Sequence, residues 1–290
     1  MASARDIRRR IRSIGNTAQI TRAMHMVAAS KMRKAQEAAI QVRPFVQLLY
    51  RIQRKATTRP IDFKHPLLEV RAVRKRAVIL VASDKGLCGA LNSNLFRLVA
   101  EYDPQSTVFI TAGRKAAQFV ARTRRQLVAD FPYGDTPRFA ESRAIAALAR
   151  DLFLKREVDE VRVVATRFVN TLVQQPLMLE FLPVGDIRGV EVPGAPPPEA
   201  LAADRTEVLF EPNAEDIIGY LLGHYLNIFI HLVLLNAKAS EQSARMVSMK
   251  GATDNAVEMI GHLTLEYNKL RQANITRELL EITSAAMAMG

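Results

Sequence analysis

The turn Ser83-Asp84-Lys85-Gly86-Leu87-Cys88-Gly89-Ala90-Leu91-Asn92 holds the only cysteine of the chain beside a lysine and between two glycines three apart. These residue types allow two chemistries. Cys88 could act as a nucleophile with Lys85 nearby, or the start of the following helix could hold an anion on its backbone N–H groups. Both signals are weak. Gly86-x-x-Gly89 is neither the dinucleotide fingerprint nor a phosphate loop, which need G-x-G-x-x-G or G-x-x-x-x-G-K-[ST]. No histidine stands near Cys88 in sequence to serve as a base. The favoured reading is therefore a structural or partner-facing turn. His224 and His231 share a helix face at a spacing of seven, but with no i, i+4 partner or carboxylate on that face they do not read as metal ligands. No Ser/His/Asp set, metal cluster or paired-carboxylate motif stands out, so the residues point to a non-enzymatic chain that needs no cofactor.

The elements that position this turn alternate strand and helix. Ala77 to Ala82 is a short unbroken apolar run, as expected of a strand covered on both faces, and Thr107 to Thr111 resembles it. Helical periodicity follows each, around Asn94 to Tyr102 and Arg114 to Arg124. A further helix near Glu141 to Lys155 precedes the strand Glu160 to Ala165. This alternation predicts an α/β domain with a mostly parallel sheet over about residues 70–205. The Gly- and Pro-rich stretch from Gly185 to Pro198 reads as an exposed loop.

Both ends of the chain read as long helices, over residues 1–58 and 212–290. From Ile7 a seam recurs at spacings of four and three: Ile7, Ile11, Ile14, Ala18, Thr21, His25, Ala28, Met32, Ala35, Ala39, Val42, Val46 and Leu49. Only Thr21 and His25 break its apolar character. A second seam runs Ala256, Ile260, Leu263, Tyr267, Leu270 and then, after a phase slip, Ile275, Leu279, Ile282 and Ala286. A 3.5-residue period lays such positions along one side of a helix and favours supercoiling with a partner. Ser3 is the expected N-cap with Asp6 three residues on, Pro44 should bend the first helix, and Asn213 is the expected cap of the last. Seventy residues at about 1.5 Å each span roughly 100 Å, so the last helix is expected to protrude. Within it, Ile217 to Leu235 contains no formally charged residue and approaches the length of a membrane span. Its Gly219, Gly223, His224, Asn227 and His231 favour burial against the sheet instead. Arg245, Lys250, Lys269 and Arg271 read as a solvated helix face.

Composition constrains the partners. The formal net charge is +12, which implies an acidic surface of some kind: nucleic acid, an anionic membrane or an acidic protein. A basic helical nucleic-acid-binding protein is the alternative reading. Against it, residues 1–44 carry ten basic side chains but no Phe, Tyr or Trp to stack on bases. With one cysteine the chain can form no internal disulfide. Its first residues are basic without an apolar signal-peptide stretch, which gives the bacterial cytoplasm as the expected setting.

Four ordered motifs carry a resemblance. Ile20-Thr21-Arg22-Ala23-Met24-His25-Met26-Val27-Ala28-Ala29-Ser30-Lys31 is the first and Ser83 to Gly89 the second. The third runs from Glu241 to Lys250 with Ala252 to Asn255, and the fourth is Tyr267 to Leu279. Together they resemble the gamma subunit of F-type ATP synthases. The resemblance implies a non-catalytic central rotor shaft, with the terminal helices paired as an antiparallel coiled coil inside a ring of alpha and beta subunits. The Rossmann-like α/β body would meet the epsilon subunit and the membrane ring of c subunits, peripheral to the cytoplasmic face of the inner membrane and not spanning it. By the same resemblance Met24, Lys31, Lys85 and Cys88 would face the beta subunit's acidic lever loop. Arg245, Arg271, Gln272, Thr276 and Glu278 would meet a beta-subunit catch loop. Departures include Lys85 where Arg is usual and Gly251 where Ala is frequent. The family reading leaves nucleic acid out.

Overall fold

The computed structural model describes residues 3–58, 65–184 and 214–289. In chain order the elements are α1 (Ala4–Thr58), β1 (Arg76–Val81), α2 (Leu91–Ala100), β2 (Thr107–Ala112), α3 (Arg114–Arg122), β3 (Gln126–Phe131), α4 (Phe139–Leu154), β4 (Glu160–Phe168), β5 (Gln174–Leu182) and α5 (Ala214–Met289). The Gly185 to Pro198 loop and the Asn213 cap lie outside the described residues. The chain divides into two compact units, one of Met1–Ala28 with Arg245–Gly290 and one of Ala29–Ala244.

The larger unit is built on a five-stranded sheet of order β3-β2-β1-β4-β5. β1 to β4 pair in parallel and β5 runs antiparallel to β4. Side chains alternate across a strand, and here both faces are apolar and covered. Ala77, Ile79, Val81, Ile110, Val163 and Phe181 face a core completed by Ile145, Ala149 and Phe153 of α4 and by Leu222, Leu226, Phe229, Ile230, Val233 and Leu234 of α5. Val78, Leu80, Phe109 and Val164 face the opposite side, against Leu95 and Val99 of α2 and Ala116 and Val120 of α3. The unbroken apolar run in β1 is thus two alternating half-patterns, each with its own helical cover. The uncharged stretch of α5 is apolar and long enough to cross a membrane by composition alone, yet its apolar side is occupied by this sheet. Two strands escaped the pattern. β3 is an edge strand whose residues are mostly exposed, and β5 mixes half-buried and exposed positions around Pro176.

In the smaller unit the start of α1 lies against the end of α5. Ser3 and Asp6 form the expected reciprocal cap: the Ser3 hydroxyl accepts from the Asp6 N–H at 3.2 Å, and the Asp6 carboxylate accepts from the Ser3 N–H at 3.3 Å and its hydroxyl at 2.8 Å. Ile7, Ala18, Thr21 and Ala28 of the α1 seam are buried, as are Thr253 and Ala256 of α5. The Thr21 and Thr253 hydroxyls meet at 2.7 Å, while Thr253 Oγ1 also reaches the Met249 carbonyl at 2.8 Å. A polar residue in the first seam is therefore matched by Thr253, three residues before the second seam begins at Ala256.

That contact sets the register of the antiparallel pair. Equal helical rise puts Ser3, eighteen residues before Thr21, level with Arg271, eighteen after Thr253. Half-buried positions on α5 accordingly continue through Leu263, Tyr267, Leu270 and Asn274. The expected phase slip is not a buried seam: Ile275 is 48%, Leu279 58% and Ile282 66% exposed. No described α1 residue reaches that level of α5.

Among the described glycines, the one at the β2–α3 junction has the closest backbone neighbour. Gly113 has φ +94, and a Cβ there would lie 2.1 Å from the Ala82 carbonyl oxygen. Gly113→Ala should therefore cost about 2 kcal/mol or more, combining left-handed strain with a clash against backbone. Urea unfolding of the purified chain measures this directly.

Candidate functional site

The Ser83–Asn92 turn leaves the C-terminal end of β1 and folds on itself. Asn92 caps it from α2, donating from Nδ2 to Ser83 Oγ at 2.7 Å and accepting the Ser83 N–H on Oδ1 at 3.3 Å. Cys88 is buried at 2% exposure, with its sulfur 3.8 Å from Ser83 Oγ and 3.5 Å from Asn92 Nδ2. The thiol is thus a packing element, covered within the chain rather than exposed. The turn presents Lys85 and Leu87 instead. Leu87 is 62% exposed and sits at φ 64, a conformation that disfavours a branched side chain. This exposed, strained leucine is a surface feature that sequence reasoning missed.

Behind the turn lies a charged knot. Lys238 of α5 is 1% exposed, and its ammonium lies 3.1 Å from Glu241, 3.7 Å from Asp84 and 3.9 Å from Asp135. It also stands 4.8 Å from the centroid of the Tyr133 ring. Lys31 of α1 donates to the other Asp135 carboxylate oxygen, Oδ2, at 2.6 Å. One knot therefore joins α1, α5, the turn after β1 and the loop after β3. Hydrogen bonding from Lys31, helped by the charges of Lys31, Lys238 and Lys85, holds the Asp135 carboxyl below the usual range. Asp135 accordingly contributes stability that is present above its unfolded pKa and lost as pH falls through its depressed folded value. Burial, with the negative charges of Glu241 and Asp84, pushes the Tyr133 phenol well above its ordinary value. Its hydroxyl donates to the Ala82 carbonyl at 3.0 Å. Asp84 also accepts the Arg114 N–H at 3.1 Å, tying the turn to the start of α3.

The next turns of α5 extend the polar stripe. Ser240, Glu241, Gln242 and Ser243 are all buried. Ser240 Oγ donates to the Thr166 carbonyl of β4 at 3.3 Å. Ser243 Oγ donates to the Thr171 carbonyl at 2.8 Å and accepts from Gln174 Nε2 at 3.4 Å. The third sequence motif thus begins as an anchor for the β4–β5 hairpin rather than a solvated surface. Lower on α5, His231 Nδ1 lies 3.0 Å from Ser142 Oγ, and both histidines pack near Phe139. Burial lowers the His231 pKa from 6.5. Among the described residues, no group of His, Cys, Asp and Glu could hold a metal ion.

The remaining expected contact residues separate by exposure. Met24 is half-buried on α1. Lys31 is half-buried and bound to Asp135. Arg245 is buried at 8% exposure, so it does not belong to the solvated face read from sequence. Arg271, Gln272, Thr276 and Glu278 are exposed on α5, as are Lys250 and Lys269. The sequence signal for the knot was available in Lys238, a lone cation directly following a long uncharged run. Its acidic partners at Asp84 and Asp135 were too distant in sequence to be matched with it.

Comparison with known proteins gives one answer. A family model described as ATP synthase matches residues 3–289. The ATP synthase gamma chain of Opitutus terrae is 45% identical, with 99% of each chain covered. That of Methylacidiphilum infernorum is 42% identical over the full length of both. Among solved structures, a chain of the Tetrahymena thermophila mitochondrial ATP synthase central stalk and c-ring aligns with TM-score 0.61 at 25% identity, covering 80% of this chain and 99% of that one. A chain of the Euglena gracilis mitochondrial ATP synthase aligns with TM-score 0.67 at 18% identity, covering 99% and 94%, and adds support for the fold.

Removing the Lys238 ammonium should leave the buried Glu241 carboxylate without its cation, beside the partly exposed Asp84 and Asp135. Lys238→Met is expected to destabilise the chain by about 3–5 kcal/mol, as for other broken buried ion pairs, whereas Lys238→Met with Glu241→Leu should cost clearly less than the sum of the two single changes. A double-mutant cycle by urea denaturation reads the difference.

Proposed function

The chain belongs to the gamma-chain family of ATP synthases, whose members are non-catalytic central-stalk subunits, and from that premise we propose how its own residues serve as a rotating shaft. The observation that carries the reading is the end of α5. Ile275, Leu279, Leu280, Ile282 and Met287 are 48–86% exposed on a stretch of helix with no described partner. So much apolar side chain along one helix calls for a surrounding partner. A ring of alpha and beta subunits closed around the tip supplies one without a disulfide, metal or nucleotide from this chain. Small residues, Ser284 to Ala286, interrupt the apolar ones and limit interlocking with the socket.

Below the tip the proposed contacts are polar. Arg271, Gln272, Thr276 and Glu278 are exposed and can exchange partners as the shaft turns. Exposed ion pairs of about 0–1 kcal/mol each give grip without a deep minimum at any one angle. On the body, Lys85 and Leu87 take the place assigned to the Cys88 turn, offering a cation and an apolar tip to an acidic lever loop on beta. Lys31, half-buried on α1, extends that contact, and Met24 is a separate proposed contact on α1. The buried Arg245 acts by positioning the helix. The Lys238 knot resists sliding of α5 against the sheet, so torque delivered to the body reaches the helix pair. Epsilon and the c ring are the proposed partners of the body, on the cytoplasmic face of the membrane. The nucleic-acid alternative has no support from the relatives.

Arg271→Ala with Gln272→Ala should leave one copy of the chain assembled per alpha–beta ring but lower proton-driven ATP synthesis by about tenfold, equivalent to about 1.4 kcal/mol in a barrier. Reconstituted vesicles measure both quantities. Unchanged synthesis with intact assembly would remove these residues from the coupling surface.

A further inference from the structure

The four parallel strands place the segments that precede them along one edge of the sheet. Those segments are connected: the Arg76 N–H donates to the Ser106 carbonyl at 2.8 Å and the Asp159 N–H to the Lys75 carbonyl at 2.8 Å. Arg125 reaches the Tyr102 carbonyl at 2.9 Å. The edge is therefore one continuous surface, and its charge is strongly biased. Residues 69–76, 101–106, 122–125 and 155–162 contain ten basic and six acidic side chains.

The acids are largely committed. Asp159 accepts the Arg74 and Lys75 N–H groups at 2.9 and 3.0 Å, and Asp103 accepts those of Gln105 and Ser106 at 3.1 and 3.2 Å. Glu160 holds both Arg76 and Arg162. Glu69 pairs with Arg71 and Arg156. In contrast, Arg74, Arg122, Arg124 and Lys155 are exposed and make no side-chain hydrogen bond or ion pair among the described residues. Arg124 and Arg156 occupy left-handed backbone positions, φ 52 and 59, just after α3 and α4. Glycine takes that position without a Cβ penalty, so the two sites favour a cation at this edge over an easier backbone.

Exposed aliphatic groups lie among the cations: Val70 is 82%, Val73 48% and Leu154 42% exposed. The edge has one aromatic candidate for stacking on a base, Tyr102, and the Arg76 guanidinium already covers its ring at 5.2 Å. Guanidinium groups recognise phosphate well, and cations mixed with short aliphatic side chains suit a headgroup layer better than unstacked bases. Direction matters too. Phe181, at the level where β4 begins, packs on Phe229, whereas Ser240 bonds Thr166 near the end of β4. α5 thus runs in the direction of β4, and the basic edge lies toward the end of the body where α5 starts.

We propose that this edge docks on the phosphate headgroups of an anionic membrane surface. The assignment rests on the reading of the chain as part of a membrane-associated ATP synthase, and it adds a lipid contact of the chain's own.

The test is co-sedimentation of the full chain with vesicles of phosphatidylcholine alone and of equal parts phosphatidylcholine and phosphatidylglycerol. Two triple charge reversals with the same change in net charge are compared: Arg74→Glu, Arg122→Glu and Arg124→Glu on the edge, and Arg8→Glu, Arg12→Glu and Arg22→Glu on α1. Circular dichroism confirms that each is folded. The proposal expects binding only to the anionic vesicles, weakened about tenfold or more by the edge set and about threefold or less by the α1 set. Equal weakening by both sets would mean that net charge alone binds, and would overturn it. So would equal binding to both vesicles, or duplex DNA that displaces the vesicles and is itself lost with the edge set. Assembly of the unaltered chain with alpha and beta subunits, measured in parallel, separates failure of this proposal from failure of the stalk reading.

Discussion

A lysine ammonium removed from water must find its counter-charges, and Lys238 finds them on three separate segments. Apolar layers alone tolerate small slides, because dispersion contacts are many and individually weak. An ion cluster around a buried ammonium does not. Its net contribution to stability is modest compared with an apolar replacement, but the penalty for separating its members is large, so it fixes register. In this chain Lys238 sets α5 against the turn after β1 through Asp84, and against the loop after β3 through Asp135. Lys31 brings α1 to the same carboxylate. The Gly113 junction and the Tyr133 hydroxyl, both against Ala82, hold the backbone that carries these acids.

From that point α5 changes character in both directions. Toward its start the helix is apolar and lies in the sheet core. Just beyond Lys238 it is polar but buried, hooking the β4–β5 hairpin through Ser240 and Ser243. Further on it meets α1 along a narrow seam, and its last turns are exposed. One helix is therefore successively a core element, an anchor, half of a helix pair and a free tip. A family of rotating stalks requires that sequence of roles, since the part that receives torque must be fixed and the part that turns inside a socket must not be.

Much of this was legible from residue order. The α1 seam, the Ser3–Asp6 cap, the doubly covered β1 and the burial of the uncharged α5 stretch each follow from local periodicity or capping chemistry. The failures share a cause. β3 and β5 lie toward the edges of the sheet, where one-sided or mixed burial leaves no unbroken apolar run. Residue type alone makes Arg245 look solvated, but a basic side chain on a helix is solvated only if no other element covers it. The motif around Cys88 does not say which way its thiol turns; Ser83 and Asn92 hold the sulfur inward. Ile275, Leu279 and Ile282 are apolar without being buried, because the register set at Thr21 and Thr253 brings α1 to an end first. Long-range charge matching, as at Lys238, leaves no periodic trace.

The most direct test is rotation itself. With the alpha and beta ring immobilised and a bead attached to the α/β body, ATP hydrolysis should drive one-directional, stepwise turning of the bead. ATP turnover by a complex containing the chain, with a bead that only fluctuates about a fixed angle, would contradict the account.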